Sequence, residues 1–209
     1  MIGIDTENKL FEKGHRTVAG IDEAGRGPLA GPVVVGLVLL EKNSNWDPGI
    51  KEIQTIKDSK LLSNKKREDL FDFIKKNFPV AIGICDNQTI DRLNIRQAVF
   101  LAMKKALGQL KEKPDFLLLD GIDELSNCSY KQQSIKNGDR LVFSIAAASI
   151  VAKVSRDKIM EKLHGQYPDY GLDRHKGYGT KLHLENIKKF GPCPVHRKTF
   201  KPISEYFSK

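Results

Sequence analysis

Apolar residues follow two periodicities along the chain. Residues 18–21, 33–40, 79–85 and 114–120 are short apolar runs bounded by turn formers, the pattern of buried strands. Leu70, Phe71, Ile74 and Phe78 recur at helical spacing behind Ser63, a good N-cap, and Ile90, Leu93, Val99, Ala102, Met103 and Leu107 predict a long amphipathic helix over 89–110. The first two strands are expected to pair antiparallel through a long hairpin. The 116–119 run lacks alternation, as in a central parallel strand reached by a helical crossover. A short polar strand at 129–135 and a helix over 142–164 follow; Ala146, Ala147, Ala148, Ser149 and Ala152 would let that helix lie close to the sheet. A last helix spans 180–190, closed by Gly191 and Pro192. Residues 1–16 are polar and are expected to be a loosely held end, and 43–49 a turn-rich loop in which Trp46 packs locally. The tail, with Ile203, Tyr206 and Phe207, is expected to fold back. The class is α/β, a mixed sheet with helices on it, in a single domain over 1–209.

The run at 18–21 breaks into adjacent carboxylates, Asp22 and Glu23, and then into Gly25, Arg26 and Gly27. Two acids at the end of a buried strand repel each other and lose water, a cost that a divalent cation or several hydrogen bonds must offset. The glycines permit close approaches, and Arg26 offers a planar fork suited to phosphate. The spacing Gly25, Gly27, Gly31, followed by a β-rich run, is not the dinucleotide fingerprint. A solvated hairpin tip is the plain alternative for this loop taken alone. Asp120 ends the second fully apolar strand. Beside 18–21, it would meet Asp22 at the carboxyl ends of neighbouring strands, where sites form in such sheets. The turn at 136–139 delivers a fourth carboxylate, Asp139.

Charge gives these acids a context. The 35 Lys and Arg against 26 Asp and Glu leave a formal charge of +9, which favours a polyanionic partner, nucleic acid above all. Lys65, Lys66 and Arg67 stand at a helix start, where the dipole disfavours them, so they point to an anion or to a solvated face. Lys153 and Arg156 are placed to reach a phosphate, or are simply solvated. The 167–180 segment interleaves Tyr167, Tyr170 and Tyr178 with Arg174, His175 and Lys176, suiting stacking on a sugar or base, or a plain surface loop. Cys85, Cys128 and Cys193 are too scattered for a disulfide framework, and the C-x-x-H pair Cys193 and His196 lacks a second pair at metal spacing. No signal peptide or membrane span is visible, so a soluble cytoplasmic protein is expected, with nothing demanding more than a monomer.

GIDEAGRGPLAGPVV, KDSK followed by LS, LNIRQA, LLLDG, KNGD, SIAAASIVAKVSRD, GLDRHKGYGT and HRKTF, in that order over about 17–200, resemble bacterial type 2 ribonuclease H (ribonuclease HII). The resemblance implies a ribonuclease H-like fold, a mixed five-stranded sheet flanked by helices, with extra C-terminal helices from about residue 165 that contribute to substrate binding. It implies hydrolysis of the RNA strand of RNA/DNA hybrids. It also implies incision 5′ to ribonucleotides embedded in duplex DNA, leaving 3′-hydroxyl and 5′-phosphate ends, with two Mn²⁺ or Mg²⁺ ions. Carried over by motif, Asp22, Glu23, Asp120 and Asp139 hold metal, with Asp22 expected to bridge. The backbone of Gly25, Arg26 and Gly27 senses the ribose 2′-hydroxyl, and Tyr178 stacks on the sugar at the RNA-to-DNA junction. Lys60 and Lys153 join the nucleic-acid contacts. Type 3 enzymes carry an extra N-terminal domain and a different loop after the paired acids; about 16 residues before the first strand, and the GRG itself, fit type 2. Two rivals remain. A hybrid-binding protein that does not cut would leave four acids unexplained, since they repel phosphate. A junction resolvase on a related fold would ignore a single ribonucleotide.

Overall fold

Strand β1 (Thr17–Ala24) is buried from Thr17 to Asp22 because both of its faces are covered. The computed structural model describes residues 4–42, 52, 55–56 and 62–207; Trp46, the turn expected at 43–49 and Lys60 lie outside them. β1 is the middle strand of a five-stranded sheet completed by β2 (Val33–Glu41), β3 (Val80–Cys85), β4 (Phe116–Asp120) and β5 (Lys131–Ile135), in the order β3-β2-β1-β4-β5. β1 to β3 form an antiparallel meander, whereas β4 runs parallel to β1 and β5 parallel to β4. This is the expected mixed sheet. Ile21 pairs with Leu119, so Asp22 and Asp120 are the next step at the carboxyl ends of adjacent parallel strands.

Helices cover both faces. On one lie α1 (Asp5–Glu12), α2 (Asn64–Asn77) and the long α6 (Phe143–Gln166), packed on Val18, Val38 and Leu118. On the other, α3 (Asn87–Leu93) and α4 (Ile95–Gln109) pack on Ala19, Ile21, Leu37 and Leu117. A one-turn helix, α5 (Gly138–Leu141), leads into α6. α6 lies against the sheet at Gly20 and Gly36, where a methyl group would overlap its backbone at Ser144 and Ala148. Its alanine-rich first half is buried all round for that reason. After α6 come a 3₁₀ turn (Pro168–Tyr170), α7 (Leu172–His175), α8 (Lys181–Phe190) and a second 3₁₀ turn (Ile203–Tyr206). These elements and the end of α6 form a third apolar cluster, in which Met160, Tyr170, Leu172, Ile187 and Ile203 enclose Leu29 and Ala30 of the β1–β2 connection. Ile203 folds back into this cluster as expected, while Tyr206 and Phe207 stay exposed.

Two expectations are corrected. The polar N-terminal segment is an ordered helix: Leu10 and Phe11 enter the core, and buried Glu7 accepts the Ser144 backbone N–H at 2.8 Å, capping the start of α6 from another helix. One apolar pair among charges is too short a signal to betray this. The helix expected over 89–110 is two helices, broken at Asn94, which takes φ +67° and accepts the Gln97 N–H at 3.1 Å to cap α4. Asparagine tolerates the left-handed region and caps well, so both sides keep helical periodicity across the break.

Burial raises the Glu7 carboxyl, opposed by its bond from the Ser144 N–H. A carboxyl raised on folding contributes stability at low pH that is lost as pH climbs through its folded value. Glu7→Gln, which keeps the acceptor, should therefore gain on the wild type as pH rises above the ordinary glutamate range. Glu7→Ala, which uncaps α6, should lose about 1–2 kcal/mol. Urea unfolding between pH 4 and 8 reads both.

Candidate active site

Period-two alternation sets the acids. Asp22 and Asp120 fall on the face covered by α6, like Val18 and Leu118 two and more residues before them. Asp22 is only 9% exposed, and its Oδ1 accepts the Glu23 N–H at 2.7 Å. The KNGD turn passes through Asn137 in the left-handed region, and the N–H of buried Asp139 reaches Asp120 Oδ1 at 3.4 Å. Glu23 lies on the other side of the strand end, where its Oε1 accepts from Arg26 Nη1 at 3.0 Å. Burial first, then Glu23 and Asp120, and more weakly Asp139, push the Asp22 carboxyl well above the usual range; the Glu23 N–H opposes them. Burial also raises Glu23, against Arg26.

Hard carboxylate oxygens crowded at a buried strand end are a fitting donor set for a divalent cation, which would relieve the repulsion felt at Asp22. Among the described residues no three acidic, histidine or cysteine side chains already stand close enough to grip an ion. Binding one would draw the carboxylates inward.

Asp22 and Glu23 line a cleft of about 490 Å³. Gly25, Arg26, Gly27, Tyr178, Arg67, Ser149 and Lys153 line the same cleft. Asp120 and Asp139 adjoin Asp22 without lining this cleft. Gly25 takes φ +100°, and a methyl there would run into the Arg156 side chain and Pro32 O. Gly27 differs: a methyl would meet only the Tyr178 ring, at 3.9 Å. Tyr178 is 48% exposed.

Two buried guanidiniums hold this loop from beneath. Arg197, 0% exposed, donates from Nε to Gly31 O (3.0 Å), from Nη1 to Arg26 O (2.9 Å) and from Nη2 to Gly25 O (2.6 Å) and Pro32 O (3.2 Å). Arg156, 1% exposed, donates to Pro32 O (3.0 Å), Ala30 O (3.2 Å) and Lys176 O (2.9 Å), tying the loop to the turn before Tyr178. Burial pulls Arg197 down to about 9 and Arg156 down to about 10. Arg156 is thus a structural tie and not the phosphate contact its position suggests, because the carbonyls of the folded-over loop claim its donors.

Lys153 lines the cleft while its Nζ donates to Asp157 at 2.7 Å. Sequence reasoning did not single out Ser149 or Arg197 for the site. It noted Arg67 only within a basic cluster; Arg67 bonds Leu62 O at 2.6 Å, which fixes it at the mouth of the cleft. The only signals for the other two were a small-residue stripe and the HRKTF motif.

The fold is that of the ribonuclease H class of nucleases. The structure resembles ribonuclease H2 from Pyrococcus horikoshii OT3 (TM-score 0.74, 27% identity, covering 90% of this chain and 96% of that one). It also resembles the ribonuclease HII in a PCNA complex from Archaeoglobus fulgidus (TM-score 0.75, 26% identity, 88% and 95%). A sequence profile described as Ribonuclease HII matches residues 19–203. A ribonuclease HII from Endomicrobium trichonymphae is 49% identical over 204 residues, 97% of this chain and 94% of that protein. The chain belongs to the ribonuclease HII family, metal-dependent endoribonucleases that cut the RNA strand of RNA/DNA hybrids. Among the described residues, no helix is long and apolar enough to cross a membrane.

The two glycines of the loop should respond differently. Gly25→Ala should cost roughly 2 kcal/mol or more in stability, from left-handed strain and overlap with Arg156. Gly27→Ala should stay within about 0.5 kcal/mol of wild type yet weaken hybrid binding, because its methyl narrows the cleft toward Tyr178. Arg197→Met strands the carbonyls of Gly25, Arg26 and Gly31, leaving Pro32 O to Arg156, and should cost about 3 kcal/mol or more. Chemical unfolding and hybrid titration on each variant separate the two kinds of effect.

Proposed function

We propose that this protein incises duplex DNA on the 5′ side of an embedded ribonucleotide, as well as cutting the RNA strand of hybrids, with two divalent ions, Mn²⁺ or Mg²⁺. The observation that carries the reading is one cleft that joins Asp22 and Glu23 to the GRG loop and Tyr178. Asp22, Glu23, Asp120 and Asp139 would hold the ions. Bound there, the ions supply an acidified water for in-line attack and charge neutralisation at the departing 3′-oxygen.

The remaining work falls to the chain. Asp22, buried beside three other carboxylates, is the group through which the set would share its charge. A peptide points its C=O and N–H in opposite directions. Arg197 takes the carbonyls of Gly25 and Arg26, so the N–H groups of Arg26 and Gly27 face away from it, on the cleft side. Two preset donors suit a 2′-hydroxyl, the one group that separates RNA from DNA at a given sugar. The exposed Tyr178 ring across from Gly27 suits stacking on the adjoining sugar. Lys153 and Arg67 place positive charge on the cleft lining, where a phosphate backbone would run. The whole of 1–209 is read as one catalytic unit, with residues from about 165 onward serving substrate binding through the Tyr178 turn.

A labelled DNA duplex with one ribonucleotide should be nicked once, 5′ to that nucleotide, in Mg²⁺ or Mn²⁺. Asp22→Asn should bind the same duplex but lose cleavage by about 10³-fold or more. A duplex left intact by wild-type protein that cuts a hybrid would confine the activity to hybrids.

A further inference from the structure

Beneath the Tyr178 turn lie three imidazoles that neither metal binding nor the cleft uses. His175 stacks on His183 with ring centroids 4.2 Å apart, and His183 Nε2 lies 3.1 Å from His196 Nε2. Their partners fix every proton. His183 Nδ1 is 2.9 Å from Tyr178 O, a pure acceptor, so Nδ1 carries the proton and Nε2 must accept. His196 Nε2 therefore carries a proton, leaving its Nδ1 to accept the Cys193 N–H at 2.9 Å, closer than the Cys193 Sγ and Cys193 O, each at 3.2 Å. His175 follows the same logic: Nε2 donates to Tyr170 O at 2.8 Å, and Nδ1 accepts the Gly177 N–H at 3.2 Å. Burial disfavours the charged form of all three, drawing His183 and His196 down to about 4.

We infer that His183 and His196 form a directional hydrogen-bond relay, Cys193 N–H to His196 to His183 to Tyr178 O, that positions Tyr178 for the ribonucleotide sugar. The inference rests on the reading of Tyr178 as the substrate-facing ring. His196 acts by fixing the tautomer. Were its Nε2–H absent, His183 could place its proton on Nε2 and turn a lone pair toward the Tyr178 carbonyl, which would push the turn out of place. Both histidines are positioning residues that act through Tyr178. The relay anchors the turn to the segment that also carries Arg197, so the glycine loop and the Tyr178 turn share one support.

Two measurements test it. Histidine ¹⁵N NMR on the wild-type protein should find the proton on Nδ1 of His183 and on Nε2 of His196; the opposite assignment at either ring overturns the relay. Steady-state cleavage of the single-ribonucleotide duplex should show KM raised roughly three- to tenfold by His183→Phe and by His196→Leu, with kcat little changed, matching one lost hydrogen bond. His196→Gln, whose amide can still donate to His183, should restore the wild-type KM. In a Tyr178→Ala background His183→Phe should add nothing. Full additivity there, or a normal KM in His183→Phe while Tyr178→Ala is impaired, overturns the positioning role and spares the reading of Tyr178. An unchanged KM in Tyr178→Ala itself overturns that reading and the positioning role together, and the NMR assignment then stands or falls alone.

Discussion

The cleft depends on one unusual use of charge: buried arginines whose partners are backbone carbonyls. A glycine-rich loop has little side-chain surface with which to fix itself, and its peptides can flip. Arg197 removes that freedom by accepting the desolvation of its guanidinium in return for four carbonyl contacts, and Arg156 extends the tie to Lys176. A lysine could not do this, since a point charge has no fork with which to set the orientation of several peptides at once. The orientation of the loop's peptides is therefore decided by residues that never reach the surface.

The acids obey the opposite economy. Where the loop is over-determined, the strand ends crowd charge: parallel β1 and β4 finish side by side, and Asp22, largely buried at the edge of the cleft, carries the resulting repulsion. The small residues of α6 and the glycines it crosses are what bring the helix close enough to exclude water there. Sheet order, helix composition and site electrostatics are in this sense one feature, and a cation is the natural complement to it.

Much of this could be read from the chain. Continuous apolar runs, a carboxylate at the end of each, and caps such as Ser63 and Gly191 are local signals, and the structure places the five strands and most of the helices they predict where they were expected. What was hidden is whatever depends on distant partners. Glu7 looks like one more surface acid in a polar stretch until Ser144 comes to it from 137 positions away. Arg156 and Lys153 look alike on one helix, yet the first is swallowed by the loop after β1 and the second faces the cleft. Asn94 breaks a helix whose hydrophobic period continues across it, because capping and periodicity are independent signals. Arg197 stands in a recognisable motif, but its task is defined by carbonyls far upstream, and carbonyls leave no mark on a sequence.

The order in which the chain is made gives Arg197 a further meaning. A polypeptide is synthesised from its N-terminus, and early segments can begin to fold before later ones exist. The central sheet, the crowded acids and α6 all precede residue 167, so a nascent chain can assemble the acid cluster while the residue that orients the recognition loop is still to come. The carboxylates are thus all written before the arginine that ties down the glycine loop beside them, and the two are joined only once the chain has passed residue 197. A chain shortened before residue 197 would keep its four acids and the strands that carry them but lose the guanidinium that orients the Gly25 and Arg26 peptides.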